Sequence, residues 1–302
     1  MLGGMAGAAA LAALPDLASA LPAAAAAAPG LKGLVGSTVF ASTYPGSASR
    51  IAAGQTFDNF VLRPICMNVQ RVYYPLSTFP GPNDPQKVTD LAAAGIKMVI
   101  SLHPDPAGGE VGKLRDALTF LKSIPNIDFE VALWHEANND PTHFPHASDY
   151  HTYVAMYAPT VRGHGIPLVY IPLVIPQQPA SDNVTSYYPG PALTDRILAD
   201  FYGSSFVNGA RLEPIMAKAD AAPMPFGIAE WGNSLIKDTP ISPTDFGSYV
   251  AYIVTLMTGR LAAGKNNADI IYYDAGGSDN NITATNDFRV PGVDLVFDAL
   301  TA

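Results

Sequence analysis

Two glutamates stand directly after short apolar runs, Glu136 in VALWHEANND and Glu230 in PFGIAEWGNS. Carboxylates paired in this way suit the cleavage of a glycosidic bond with retention. Held about 5–5.5 Å apart, one acts as acid and then as base, while the other attacks as nucleophile. The acid needs a raised pKa, which apolar neighbours such as Trp134 and Trp231 help to supply. These are the only two tryptophans of the chain, and each is close to one of the glutamates. Sugar rings have apolar faces that stack on aromatics, so both tryptophans are candidate walls as well as candidate core.

Other residues that could do chemistry are weaker. His135 adjoins Glu136, and His103 ends an apolar run, so both are candidates for sugar contact. Tyr187, Tyr188, Tyr272 and Tyr273 either line a groove or pack, and Tyr273 is taken as a site residue. Arg71 is expected at the start of a strand, in a structural ion pair away from the site. Asp200 is expected to brace a neighbour rather than react. His143, His146 and His151 match no standard metal-ligand spacing, and no HExxH occurs, so no metal is expected. The GxSxG elbow of serine hydrolases is missing, as are GxGxxG and the phosphate-binding GxxxxGK[ST]. Cys66, the only cysteine, excludes an intramolecular disulfide and reads as buried and inert. The sequons at Asn183 and Asn281 indicate accessible loops at most.

The elements that must position the two glutamates alternate along the chain. Short apolar runs predict strands at Leu34–Phe40, Arg71–Leu76, Lys97–Leu102, Phe129–Trp134, Pro167–Ile175, Ile197–Phe201, Pro225–Ala229 and Ala268–Tyr273. Helical patterns fall between them at Pro85–Ala94, Gly109–Ser123, Ser148–His164, Leu212–Ala219 and Ser242–Ala263. Eight strands alternating with helices are what an α/β chain needs to close a single (β/α)8 TIM barrel. An open doubly wound sheet is the alternative, and it usually carries a glycine-rich phosphate turn that this chain lacks. In a closed barrel, strands four and seven both aim at the central mouth, where Glu136 and Glu230 would meet.

This layout resembles clan A glycoside hydrolases. It is most similar to glycoside hydrolase family 26, the β-mannanase-type family, because His135 directly precedes the first glutamate, where most of the clan carries Asn. The segment YYPGPALTDRILADFYG (187–203) also resembles the strand-six region of that family. The resemblance implies that Glu136 is the acid/base and Glu230 the nucleophile. It further implies that His135 contacts the sugar or the nucleophile's surroundings, that Tyr202 hydrogen-bonds the nucleophile, and that no cofactor is needed. Two regions depart from the family. Ala137–Asn138–Asn139–Asp140–Pro141 replaces the aromatic-rich stretch after the acid/base, and Tyr272, Tyr273 and Asp274 stand where the clan commonly has tryptophan. Both departures concern the walls that hold the sugar, so they bear on mannan specificity and not on reaction type.

Composition bounds the remainder. The chain has 302 residues, 48% hydrophobic and only 14% charged, enough for a large core. Its net charge of −9 argues against nucleic acid and polyanionic glycans and is compatible with a neutral glycan as partner. Residues 1–30 are Ala-rich, with an apolar run too short to span a membrane and small residues that suit signal cleavage. They resemble the part of a twin-arginine signal that follows the arginines. Export is therefore expected, with a catalytic domain at 31–302; without a signal the chain would stay in the cytoplasm. No obligate protein partner is inferred. Three readings stay open: a retaining glycosidase on a β-linked poly- or oligosaccharide, a catalytically inactive barrel that binds such a glycan, and a transglycosylase or lyase using the same pair.

Overall fold

The structure is a computed structural model and describes residues 35–39, 69–81, 84–93, 95–176, 183–232 and 241–274. The Ala-rich segment 1–30, Cys66 and the sequon at Asn281 lie outside the described residues, as do the side chains of Tyr272 and Tyr273. No helix among the described residues is long and apolar enough to cross a membrane.

Strands β1 (Val35–Val39), β2 (Val69–Pro75), β3 (Lys97–His103), β4 (Phe129–Leu133), β5 (Leu168–Tyr170), β6 (Arg196–Tyr202), β7 (Phe226–Gly232) and β8 (Asn267–Asp274) pair in parallel, each with the next in the chain. The β1 backbone also pairs with β8, so the ladder returns to its start. Helices α1 (Asp84–Ala93), α2 (Val111–Ser123), α3 (Ala147–Gly163), α4 (Gly203–Val207), α5 (Glu213–Ala221) and α6 (Pro243–Ala262) lie in the connections. Parallel strands require such crossovers, and the helices then cover the outer face of the sheet. The predicted alternation of strand and helix is met at the described elements. The connections after β1 and after β8 lie outside the described residues.

Two apolar layers follow from strand alternation. Val69, Val99, Ala132, Val169, Leu198, Ala229 and Ile271 pack inside the sheet. Met98, Ile100, Leu102, Val131, Ile197 and Ile228 pack outward against the helices. Helix α2 presents Leu114, Ala117, Leu118 and Leu121 to that outer layer, the spacing that its helical pattern predicts. Helix α6 starts at Ser242, whose Oγ accepts from the Asp245 N–H, with Pro243 in the first turn.

Two strands differ from expectation for local reasons. Pro172 has no N–H, so the β5 ladder stops at Tyr170 and resumes as an isolated bridge between Leu173 and Asp200. Strand β7 runs to Gly232, past the predicted end at Ala229, and its register with β6 shifts between Ala199 and Asp200. The bulge places Glu230 beside Asp200, so Glu230 joins Ala229 in facing inward. The N-terminal end of the sheet is closed by charge. Lys97 pairs with Asp269 and with Glu130, and Arg196 reaches Glu130 at 2.9 Å.

Candidate active site

The C-terminal ends of β2, β4, β6 and β7 converge on three carboxylates: Glu136, Asp200 and Glu230. One oxygen from each lies within 4.8 Å of the others. Glu230 is almost sealed and is gripped by three donors. The Tyr73 hydroxyl and the Arg71 guanidinium (2.9 Å) reach Oε1, and the Tyr202 hydroxyl donates to Oε2. Arg71 Nη1 also donates to Asp200 Oδ1 at 2.6 Å, with both side chains fully buried. The Arg71 guanidinium lies over the Tyr73 ring, 4.7 Å from its centroid.

Glu136 sits in a different environment. It is half-buried and holds a left-handed backbone conformation, φ 54°. Trp134, two residues earlier, is also left-handed at φ 56°. Such values are strained for residues with a Cβ and concentrate at functional sites. The strain turns the chain sharply out of β4 and is held by neighbours. The Glu136 N–H donates to the Ile171 carbonyl at 2.7 Å, and Asn138 clamps the Leu173 backbone through both ends of its amide, at 2.7 and 2.9 Å. Burial first, and then the charge of Glu230, push the Glu136 carboxyl up to about 7. Asp200, wholly buried between the other two, is also raised, by burial and then by both glutamates against the pull of Arg71.

The imidazoles form the adjoining wall. His103 Nε2 and His135 Nδ1 share a hydrogen bond of 2.9 Å, so one ring donates and the other accepts. Burial and the Arg71 charge hold His103 down at about 4, and they lower His135 as well, so both rings are neutral. His135 packs edge-on against Tyr73, and His103 stacks on Trp134 at 4.5 Å. Trp134, half-buried, continues this wall outward to His143, and its indole N–H donates to Asp140.

The structure brings Glu136, Glu230, His135, His103, Tyr202 and Trp134 together. Trp231 is a correction. It pairs in register with Phe201, is 1% exposed and stacks on Phe246 of α6, so it is core on the outer face of the sheet and not a sugar wall. Past the bulge alternation resumes, so the residue that follows the inward Glu230 points outward. The Tyr273 backbone lies in β8, and its side chain is outside the described residues. Arg71 is a second correction. It does make ion pairs, but β2 begins at Val69 and the guanidinium reaches up into the site. Asp200 braces Arg71, as expected. Tyr73 was missed, and its signal was the inward alternation Val69, Arg71, Tyr73.

The three carboxylates have the donor set for a divalent cation. Arg71, within 2.9 Å of two of them, already supplies a positive charge there.

No protein-family model and no curated protein sequence matches the chain. Solved structures do. A family 26 protein, GH26C from Muricauda sp. MAR_2010_75, superposes with a TM-score of 0.61 at 11% identity, covering 95% of this chain and 89% of that one. A family 26 β-mannanase from Bacteroides ovatus gives 0.51 at 13% identity, covering 93% and 92%. A rice β-glucosidase gives 0.54 at 10% identity, covering 92% and 99%. The resemblance to family 26 and its clan thus has a structural counterpart, and at these identities what the chain shares with those proteins is their fold.

Proposed function

We propose that residues 31–302 form a (β/α)8 catalytic domain that hydrolyses a β-linked poly- or oligosaccharide with retention. One observation carries the reading: two glutamates at the ends of β4 and β7 have oxygens within 4.8 Å of one another in opposite environments. Glu230, in the grip of Tyr73, Arg71 and Tyr202, is oriented as a carboxylate nucleophile. Glu136, desolvated and raised to about 7, carries the proton that an acid needs near neutrality.

In the first step Glu136 gives its proton to the glycosidic oxygen as the bond from that oxygen to the anomeric carbon breaks. A Glu230 oxygen bonds to the anomeric carbon. In the second step water attacks that carbon, its proton passes to Glu136, and the bond to Glu230 breaks. His135 and His103 offer neutral ring nitrogens to sugar hydroxyls, and Trp134, stacked on His103, supports that wall and presents its exposed edge. An incoming sugar hydroxyl in place of water would make the same site a transglycosylase. The Ala-rich segment 1–30 supports action outside the cytoplasm.

Product release by residues 31–302 is measured on β-mannans, β-glucans, xylans, galactans and arabinans, beside Glu230→Ala. Release that disappears in the variant is expected and names the substrate. Equal release by both proteins, or none on any glycan, removes the nucleophile assignment. A glycan bound but uncut would replace the reading with a binding barrel.

A further inference from the structure

We propose that Asp200 is a positioning residue that shares one proton with Glu136 and so sets the protonation of the acid. The inference builds on the glycosidase reading and adds a residue with no role in it so far. Asp200 is wholly buried, and its Oδ1 accepts from Arg71 at 2.6 Å. Its Oδ2 receives no N–H or hydroxyl from any described residue. An oxygen of the Glu136 carboxyl lies within 4.8 Å of one of Asp200, and the two groups interact through a side-chain hydrogen bond. Two carboxyl groups in contact attract each other only when one of them carries a proton.

The other charges say where that proton sits. The groups that act on the pair are Arg71 on β2, Asn139 after β4 and Glu230 on β7; Tyr73 and Tyr202 hold Glu230, and His135 and His103 adjoin Tyr73. Arg71 is the one cation among them, since both imidazoles are neutral. Three ionised carboxylates around one guanidinium would leave two uncompensated negative charges in a dry site. Glu230 accepts from Tyr73, Arg71 and Tyr202, an environment built for a carboxylate. The proton therefore belongs to Glu136 and Asp200 jointly.

This sharing suits the reaction. Before the first step the cluster holds Arg71⁺, Glu230⁻ and a pair bearing a single negative charge. The proton leaves Glu136 for the glycosidic oxygen, and Glu230 becomes a neutral ester. The pair gains one negative charge as Glu230 loses one, so the total stays constant. Water then returns a proton to Glu136 as the ester bond breaks. Two ionised carboxylates side by side hold a returning proton tightly, which favours Glu136 as the base of the second step.

The test uses Asp200→Asn and Glu136→Gln in the full chain, with side-chain carboxyl carbons followed by NMR through a pH titration. The wild type is expected to show two coupled steps. In Asp200→Asn the Glu136 step is expected to fall by about one pH unit or more, because a like charge has gone. In Glu136→Gln, a change at the half-buried member, the Asp200 step is expected to fall likewise. Unmoved steps in both variants overturn the proposal. Kinetics give a second readout. Asp200→Asn is expected to shift the alkaline limb of kcat/KM downward and to lose rate on poor leaving groups more than on dinitrophenyl glycosides. Equal loss on both, with the limb unmoved, would make Asp200 a structural brace and also overturn the proposal. If no glycan is cleaved at all, the glycosidase reading fails, while the NMR titration still decides the sharing.

Discussion

Asp200 and Glu230 face each other across the β6–β7 ladder, and one nitrogen of Arg71 bridges them, at 2.6 and 2.9 Å. The bulge on β7 makes this possible, since without it the register would set another residue beside Asp200. Arg71 is thus the shared counter-ion of two buried carboxylates. Arg71→Met would leave both without it. Breaking a buried pair in this way costs about 3–5 kcal/mol. A large fall in the urea midpoint is expected, with loss of activity in whatever protein stays folded. Arg71→Met combined with Asp200→Leu is expected to regain much of the stability and none of the activity. Midpoints that match the wild type in the single variant would refute the counter-ion role.

The pH dependence has a definite sign. An acid must be protonated to act, and Glu136 is raised to about 7 by burial and by Glu230. The rate is therefore full below about pH 7 and falls roughly tenfold per unit above it. A kcat/KM profile checks this, and Glu136→Gln is expected to remove the limb while lowering the rate by about 10²–10⁴-fold. Stability follows the same direction. Glu136 and Glu130 are both raised from 4.5 to about 7, so the folded state holds protons that the unfolded chain releases. Their contribution is fully present below 4.5 and is lost as pH rises through about 7. The urea midpoint is expected to be lower at about pH 8 than at about pH 5.

Much of this site was legible in the sequence. Strand-length apolar runs ending in Glu136 and Glu230 announced both carboxylates, because parallel strands are apolar on both faces and barrels react at their C-terminal ends. The errors arose where one residue changes the face. Trp231 resembles a wall because it adjoins Glu230, yet past the bulge the next residue of the strand takes the opposite face. Arg71 and Tyr73 are hidden because a strand that starts at Arg71 leaves that residue at the far end from the site, whereas β2 starts at Val69 and so lifts both inward side chains two residues closer to the mouth. The bulge at β7 and the left-handed Trp134 and Glu136 have no signal in side-chain type, since tertiary contacts hold them.

Gly227 offers a test of how tightly β7 and β8 approach beneath the site. A Cβ at this position would overlap the Asp269 carbonyl oxygen and crowd Leu198. The overlap is with backbone, which gives way least. Gly227→Ala is expected to destabilise by about 1–3 kcal/mol or more, and to lower Tm by several degrees. Thermal unfolding checks this. An unchanged Tm would mean that the β7–β8 spacing relaxes freely.

The two tryptophans should separate stability from recognition. Trp231, sealed against Phe246, is expected to cost about 3–5 kcal/mol as Trp231→Ala, while Trp231→Phe keeps KM unchanged. Trp134 is half-buried between His103 and His143 at the mouth, with its indole N–H on Asp140. A sugar packed against its exposed edge would gain about 0.5–1.5 kcal/mol, the scale of an aromatic ring contact. Trp134→Ala is therefore expected to raise KM by roughly 2- to 12-fold, the same energy expressed as a ratio. It should also loosen the His103–His135 pair and lower kcat, whereas Trp134→Phe keeps a ring under His103 and restores most of the rate. Steady-state kinetics on the best glycan of the panel would read both constants. A Trp134→Ala protein with unaltered KM and kcat would leave the wall to other residues.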